Sequence, residues 1–258
     1  MDKVEIIPIP LDSDVKQDDD IALLILESIK RFGIELLDND ILVIAQKIVS
    51  KAEGRVIDLR YVIPSEEAER LAYEHNKDAR IVELILREGR VVAAYKGVII
   101  TRTKHGFVCA NSGIDSSNVK GEYVTLLPVD ADATAKIIRE RIYAFTRKIV
   151  AVIITDTFGR PFREGQVNIA IGSAGIEPLI DYRGSRDMYG KELKVTQIAL
   201  IDEVASAAEL VMGKSRGIPV ALVRGLSYSI GNDGARTLIR DVEKDIFLNL
   251  ARQVLQHH

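Results

Sequence analysis

The run KIVAVIIT, residues 148–155, is almost wholly apolar and then breaks into TDTFGRPFREGQ, Thr155 to Gln166. A short apolar run bounded by polar residues reads as a buried strand. The chain must therefore leave the core and enter a stretch holding an aspartate, two arginines, a glutamate and two glycines. A plain surface turn needs glycine and one aspartate at most. This stretch is read as a loop that carries both halves of an anion-and-metal site.

Other apolar runs set the fold class. VEIIPI, DILVIAQKIVSK and IPVALVRG read as strands, the second running into a charged end. DDDIALLILESIKRFGI reads as a helix, with aspartates at its start, where the dipole favours them. PSEEAERLAYEHNK, with Ser65 as cap, and ARIVELILREG read as helices too. So do DADATAKIIRERIYAFTR and the closing amphipathic ARTLIRDVEKDIFLNLARQVLQ. RVVAAYKGVIITRTKHGFVCAN reads as two or three strands in hairpins, and GQVNIAIGSAG as another strand. LKVTQIALIDEVASAAELVMGK begins extended and ends as an alanine-rich helix. Strands arrive both in runs and between helices, so the expectation is an α+β fold of mixed sheets with flanking helices. No linker or repeat divides residues 1–258 by composition.

With 258 residues, 47% hydrophobic, and a formal charge of −3, the chain can bury a substantial core. The charge balance argues against nucleic acid as a partner. No apolar run approaches the ~20 residues that span a bilayer. MDKVEIIPIP has no signal-peptide pattern, which points to a soluble cytoplasmic protein. Cys109 is the lone cysteine, which excludes an internal disulfide and a cysteine-based zinc site. It reads as a small buried hydrophobe. No GxxxxGK[ST], GxGxxG, GxSxG or HExxH motif is present, so neither a Rossmann nor a P-loop core is expected. Of the four histidines, His75 reads as solvated, His257 and His258 as tail, and His105 as the one candidate for a ligand.

Hard divalent cations take oxygen ligands from a few carboxylates. Two stretches supply them at the ends of apolar strands: ANSGIDSSN, with Asp115 and Asn118, and ITDT, with Asp156 and Thr157. Each aspartate reads equally as a turn cap. Phosphates take backbone amides, Lys, Arg and glycine. AQKIVSKAEGR offers Gln46, Lys47, Ser50 and Lys51, although a solvated helix start has the same composition. VMGKSRGIPVALVRG offers Gly213, Lys214, Ser215, Arg216 and Gly217. Arg160 and Arg163 are candidates to meet phosphate or an acidic substrate, against the alternative that Arg163 and Glu164 form a local ion pair. The residue chemistry alone describes a metal-assisted enzyme handling an anionic ligand.

Taken together and in order, GFVCANSGID, GRPFREGQ and AAELVMG resemble the coenzyme F420-0:L-glutamate ligase (F420 gamma-glutamyl ligase) family. The resemblance runs from IIPIPLDSDVKQDDD through DYRGSRDMYGKEL to DEVASAAELVMGKSRGIPVALVRG. It implies two intimately associated α+β sub-domains within one unit, and a homodimer. It implies a ligase that uses GTP and Mg²⁺ or Mn²⁺, as two ions, with a monovalent cation as a further candidate. The substrates implied are L-glutamate, F420-0 and then F420-1, joined through an acyl phosphate. By the same resemblance, Leu11, Asp12, Ser13, Asp14, Gln46, Lys47, Lys51 and Asn118 match nucleotide contacts. Met212, Gly213, Lys214, Ser215, Arg216, Gly217, Ile218 and Pro219 match the late segment over the nucleotide, and Asp115, Asp156 and Thr157 match metal ligands. One departure stands at Lys214, where the family pattern leads us to expect a glutamine oxygen. A protonated ammonium cannot ligate a cation, so either Lys214 meets phosphate directly or a second metal is held without it. A related ligase acting on another carboxylate, and a nucleotide- or deazaflavin-binding protein without turnover, remain the alternatives.

Overall fold

A computed structural model describes residues 3–117, 119 and 121–250. In chain order the strands are β1 (Glu5–Ile9), β2 (Ile41–Ala45), β3 (Val56–Asp58), β4 (Gly89–Tyr95), β5 (Val98–Thr103), β6 (Val108–Ala110), β7 (Tyr123–Thr125), β8 (Ala151–Arg160), β9 (Arg163–Ala174), β10 (Leu179–Asp181), β11 (Gln197–Ala199) and β12 (Val220–Arg224). The helices are α1 (Ile21–Arg31), α2 (Gln46–Ala52), α3 (Glu66–His75), α4 (Ala79–Glu88), α5 (Ala131–Thr146) and α6 (Leu200–Met212). The fold is α+β with mixed sheets, as the pattern of runs implied.

A five-stranded sheet in the order β1-β12-β2-β8-β9 forms the centre. Only the β2–β8 pair is parallel; the other neighbours are antiparallel. Successive side chains of a strand point to opposite faces, and both faces of this sheet are covered. Leu42, Ile44, Val152 and Ile154 pack on one face with α1 and α5, through Ile25, Ala135 and Ile138. Ile41, Val43, Ala151 and Ile153 pack on the other against Val204, Ala205 and Ala208 of α6. Burial on both sides explains why β2 and β8 are continuous apolar runs rather than alternating ones.

Residues between α2 and α5 build smaller sheets, β3–β7 and β4–β5–β6. Two further apolar clusters hold them against α3 and α4, one around Leu59, Leu84 and Val124, the other around Ala72, Val82 and Ile85. Ser65 caps α3, accepting from Ala68 N, while its hydroxyl donates to Glu83 Oε2 at 2.7 Å. That second bond joins the start of α3 to the middle of α4.

Three sequence readings need correction. QKIVSK is not the charged end of a strand but the helix α2, and its Ile48, Val49 and Ser50 are buried. The stretch 155–166 is not a loop. Strand β8 continues through Arg160 and returns as β9, with Arg160 opposite Arg163 and only Pro161 and Phe162 between them. Pro161 presets the turn, and Phe162 takes a positive φ of 61°. The closing segment is not one helix either. The segment Ala235–Leu238 is a 3₁₀ turn, Val242–Lys244 another, and a helix begins at 246. Asp132 accepts the Ala235 N–H at 2.7 Å and Asp241 accepts from Glu243 N, so side chains take the amides that a continuous helix would use. The end of that segment and the terminal histidines lie outside the described residues.

Candidate active site

Four segments reach one edge of the central sheet because of strand register. Ile9 lies opposite Val220, Val220 opposite Ile44, and Ile44 beside Ile154. Beyond that row, on the same side, come Leu11–Asp14 after β1 and Met212–Pro219 before β12. Gln46–Lys51 after β2, and Asp156 and Thr157 on β8, follow on that side too. Ala45 N donates to Pro219 O at 2.8 Å, which fastens the late segment to the start of α2. Segments some 200 residues apart in sequence are thereby neighbours.

Lysines from α2 reach outward from this edge to acidic partners. Lys51 Nζ meets Asp14 Oδ1 at 2.5 Å. Lys47 Nζ meets Asp115 Oδ2 at 2.5 Å, and Ser117 O and Oγ at 2.6 Å each. Asp115 itself is held by backbone pairing with Thr125 and accepts from Ser117 N at 2.6 Å. Burial alone would raise its carboxyl, but the bonds from Lys47 and Ser117 outweigh that and hold it below the usual carboxylate range.

Asp156 behaves in the opposite way. It is half-buried on β8, and desolvation pushes its carboxyl up to about 6, with the nearby Asp115 charge adding to the rise. The Thr157 amide, Lys214 and Lys47 pull the other way without cancelling it. Nearby Cys109 is buried, and its thiol is pushed up to about 12 by burial and by the Asp156 charge, so it is no nucleophile.

The neighbouring residue on β8 turns to the α6 side. Thr157 Oγ1 donates to Asn168 Oδ1 at 2.6 Å, and Asn168 Nδ2 donates to Glu209 Oε2 at 2.8 Å. Lys214 Nζ bonds Thr157 Oγ1 and sits 3.3 Å from Asn168 Oδ1 and 3.5 Å from Glu209 Oε1. Asn168, Glu209 and Ser117 were not singled out in the sequence. Asn168 left one local signal, a polar residue inside the apolar run VNIAI of a strand, but its pairing with Thr157 shows only in the fold.

Other candidates fall in varied places. Asp12 pairs with Arg31, Leu11 packs at the rim of the main core, and Ser13 is exposed. Gln46 is buried, and its Oε1 accepts from Ser50 Oγ at 2.7 Å, so its side chain faces inward. Met212 is buried as well, while Lys214, Ser215, Arg216 and Gly217 are exposed and Gly213, Ile218 and Pro219 are half-buried. Arg216 Nη1 donates to Val211 O at 3.0 Å, folding the loop back on the end of α6. Asn118 lies outside the described residues. Arg160 and Arg163 sit at the hairpin tip, roughly 13 Å of strand beyond Asp156. Arg160 Nη2 donates to Glu164 O at 3.1 Å, and its buried Nε has no partner among the described residues. No ion pair joins Arg163 and Glu164 among the described residues. His105 bonds Val129 O at 3.1 Å, and no contact joins it to the carboxylates or lysines of this edge among the described residues.

Among the described residues no three His, Cys, Asp or Glu side chains gather as a metal cluster. The set is two carboxylates, Asp115 and Asp156, with neutral oxygens from Thr157 and Asn168. All are hard donors, and a desolvated carboxylate pushed up by a like charge gains most from a cation. The donor chemistry fits a hard divalent ion.

Residues 12–225 match the family model for F420-0:Gamma-glutamyl ligase. This chain belongs to that family. Curated relatives carry the name coenzyme F420:L-glutamate ligase. The one from Methanocaldococcus jannaschii is 50% identical over 226 residues, covering 86% of this chain and 89% of its own. The one from Methanopyrus kandleri is 48% identical over 246 residues, 93% and 96% of the two chains. A third, from Archaeoglobus fulgidus, is 39% identical over 254 residues, 98% and 100%. F420-0:gamma-glutamyl ligase membership makes this chain an enzyme that forms carbon–nitrogen bonds. The matched span runs from Asp12 to Gly225, so it takes in the four segments of the sheet edge almost completely.

Proposed function

We propose that this chain joins L-glutamate to the terminal carboxylate of F420-0 with GTP as phosphoryl donor, then adds a second glutamate to F420-1 by a γ-linkage. The observation that carries this reading is the sheet edge where Asp115 and Asp156 stand among Lys47, Lys51 and Lys214. A carboxylate is a poor electrophile, and phosphorylation supplies its leaving group. The acceptor carboxylate oxygen bonds to the γ-phosphorus as the bond to the β,γ-bridging oxygen breaks, releasing GDP. The glutamate amine then attacks the acyl carbon, the carbon–oxygen bond breaks, and phosphate and a proton leave.

In this reading Lys47 and Lys51 exchange their carboxylate partners for phosphate oxygens, with Leu11–Asp14 and Met212–Pro219 around the nucleotide. Lys214 meets phosphate directly. Asp115, Asp156 and Thr157 would hold Mg²⁺ or Mn²⁺, and such an ion draws charge off the γ-phosphate as it transfers. The resemblance also leads us to place the enzyme in the cytoplasm as a homodimer, each chain an α+β pair of sub-domains.

The last carbonyls of a helix lack intrahelical donors. Gly213 N already donates to Glu209 O at 3.0 Å, so the backbone around Met212 and Gly213 offers mainly acceptors. Guanine presents N1–H and N2–H₂ donors with an O6 acceptor, whereas adenine reverses that edge, with an N6–H₂ donor, a bare N1 and no donor at C2. Each mismatch leaves a buried polar group unpaired at about 1–3 kcal/mol. Two mismatches give roughly a thirtyfold preference for GTP in kcat/KM. The test is phosphate release with GTP or ATP, glutamate and F420-0, with mass spectrometry of the product. No glutamyl product, or equal kcat/KM for both nucleotides, overturns the respective part of the reading.

A further inference from the structure

A cavity of about 180 Å³ lies beside the candidate site, between the β5–β6 hairpin, the β8–β9 hairpin and the segment 238–248. By comparison, an engineered apolar cavity of about 150 Å³ admits benzene. Phe107 and Phe158 form one wall, edge to face with centroids 6.3 Å apart. Phe158 stands two residues after Asp156 on β8, and Ile169, also in the lining, lies opposite Asp156 across the hairpin. Alternation along the strands puts these three side chains on one face of the sheet, so the cavity adjoins Asp156. Gly106 closes one side: its φ is +98°, and a Cβ there would meet Ile239 Cδ1 at 3.2 Å.

The charged groups of the lining divide in two. Asp202 Oδ1 accepts the Ala170 N–H at 2.9 Å, and Asp245 Oδ1 accepts the Leu248 N–H at 2.9 Å, so both carboxylates are committed to backbone. Arg102 and Arg240 also line the cavity, and neither guanidinium has a carboxylate partner among the described residues. Two phenyl rings with two uncommitted guanidiniums suit a flat aromatic ligand that carries negative charge: rings stack or meet edge-on, and guanidiniums take anions bidentately.

Resting on the ligase reading above, we propose that this cavity seats the aromatic ring of the acceptor, with Arg102 and Arg240 meeting its phosphodiester. The reacting carboxylate then extends along the hairpin toward Asp156. The test uses the full chain and the fluorescence of two probes, F420-0 and the same deazaflavin without its phosphodiester end. In the double variant Arg102→Gln/Arg240→Gln, F420-0 should bind at least tenfold more weakly and the phosphate-free probe less than threefold. Val108→Trp, at the exposed mouth, should weaken both probes at least tenfold. A nucleotide Kd unchanged in each variant excludes general unfolding. Unchanged F420-0 affinity in both variants of a chain that still turns over overturns the cavity assignment alone. The expected pattern of binding in a chain that releases no phosphate from GTP overturns the GTP-dependent reading and leaves the cavity standing. A wild-type chain that binds neither probe overturns both.

Discussion

The root and the tip of the β8–β9 hairpin come from a single dozen residues, yet they are different environments. At the root, Asp156 is half-buried beside Asp115, Lys47 and Lys214, and Thr157 is bonded to Asn168. At the tip, Phe162 is 92% exposed and Arg163 faces solvent. In sequence the two halves look equally charged. What separates them is the pairing register, which sets the first polar residues of β8 level with the end of β2 and carries the arginines past it. Charge at the root has been desolvated and made strong; charge at the tip is screened by water.

The largest effect should come from Asp156→Asn. Turnover should fall on the order of a hundredfold or more, because an amide is a poorer ligand for a hard cation and carries no charge. Stability should move the other way in metal-free protein. The folded carboxyl titrates near 6 against an ordinary 3.8, so the folded state holds the proton more tightly. Burying the charge then costs folding on the order of 3 kcal/mol above the folded pKa, and that cost fades as pH falls from 6 toward 4. The asparagine variant should therefore melt higher than wild type at pH 8, with the gap narrowing by pH 4. Melting curves at both pH values without metal check this; a lower melting temperature at pH 8 would mean the carboxylate is structural.

A smaller loss is expected at Lys51, which anchors the root from α2. Lys51→Ala should weaken GTP about ten- to a hundredfold, the worth of one charge-assisted bond. F420-0 affinity should hold. Calorimetry with each ligand separates them, and equal weakening of both would place Lys51 in the framework, through its pair with Asp14, rather than at the nucleotide.

Much of this contrast was legible in the sequence, and the rest was hidden for physical reasons. Ser65 announces α3 because capping is local, and it does cap that helix; the aspartates at the start of α1 end in Asp20, which caps it. The apolar runs give β2, β8 and β12 because burial on both faces demands them. Helix α2 was missed because QKIVSK is as apolar as a strand at Ile48 and Val49, and nothing local marks the change of period. Asn168 and Glu209 were missed because their role exists only across strands and against α6, a contact that spans 41 residues. Asp115 and Asp156 were visible as candidates. That Asp156 rather than Asp115 is held up in pKa could not be read, since it depends on which carboxylate receives the Lys47 bond.

The smallest effect is expected at Arg163. It is exposed and stands opposite Arg160 across the turn, two like charges on neighbouring strands. Such a pair is slightly repulsive, so Arg163→Ala should leave stability within about 0.5 kcal/mol. The kcat/KM for glutamate and for F420-0 should stay within about twofold if the tip remains in water during turnover. Steady-state kinetics at two ionic strengths makes the test sharp. A loss of tenfold or more that shrinks with added salt would mean that the hairpin tip reaches the acidic substrate, and root and tip would then belong to one site.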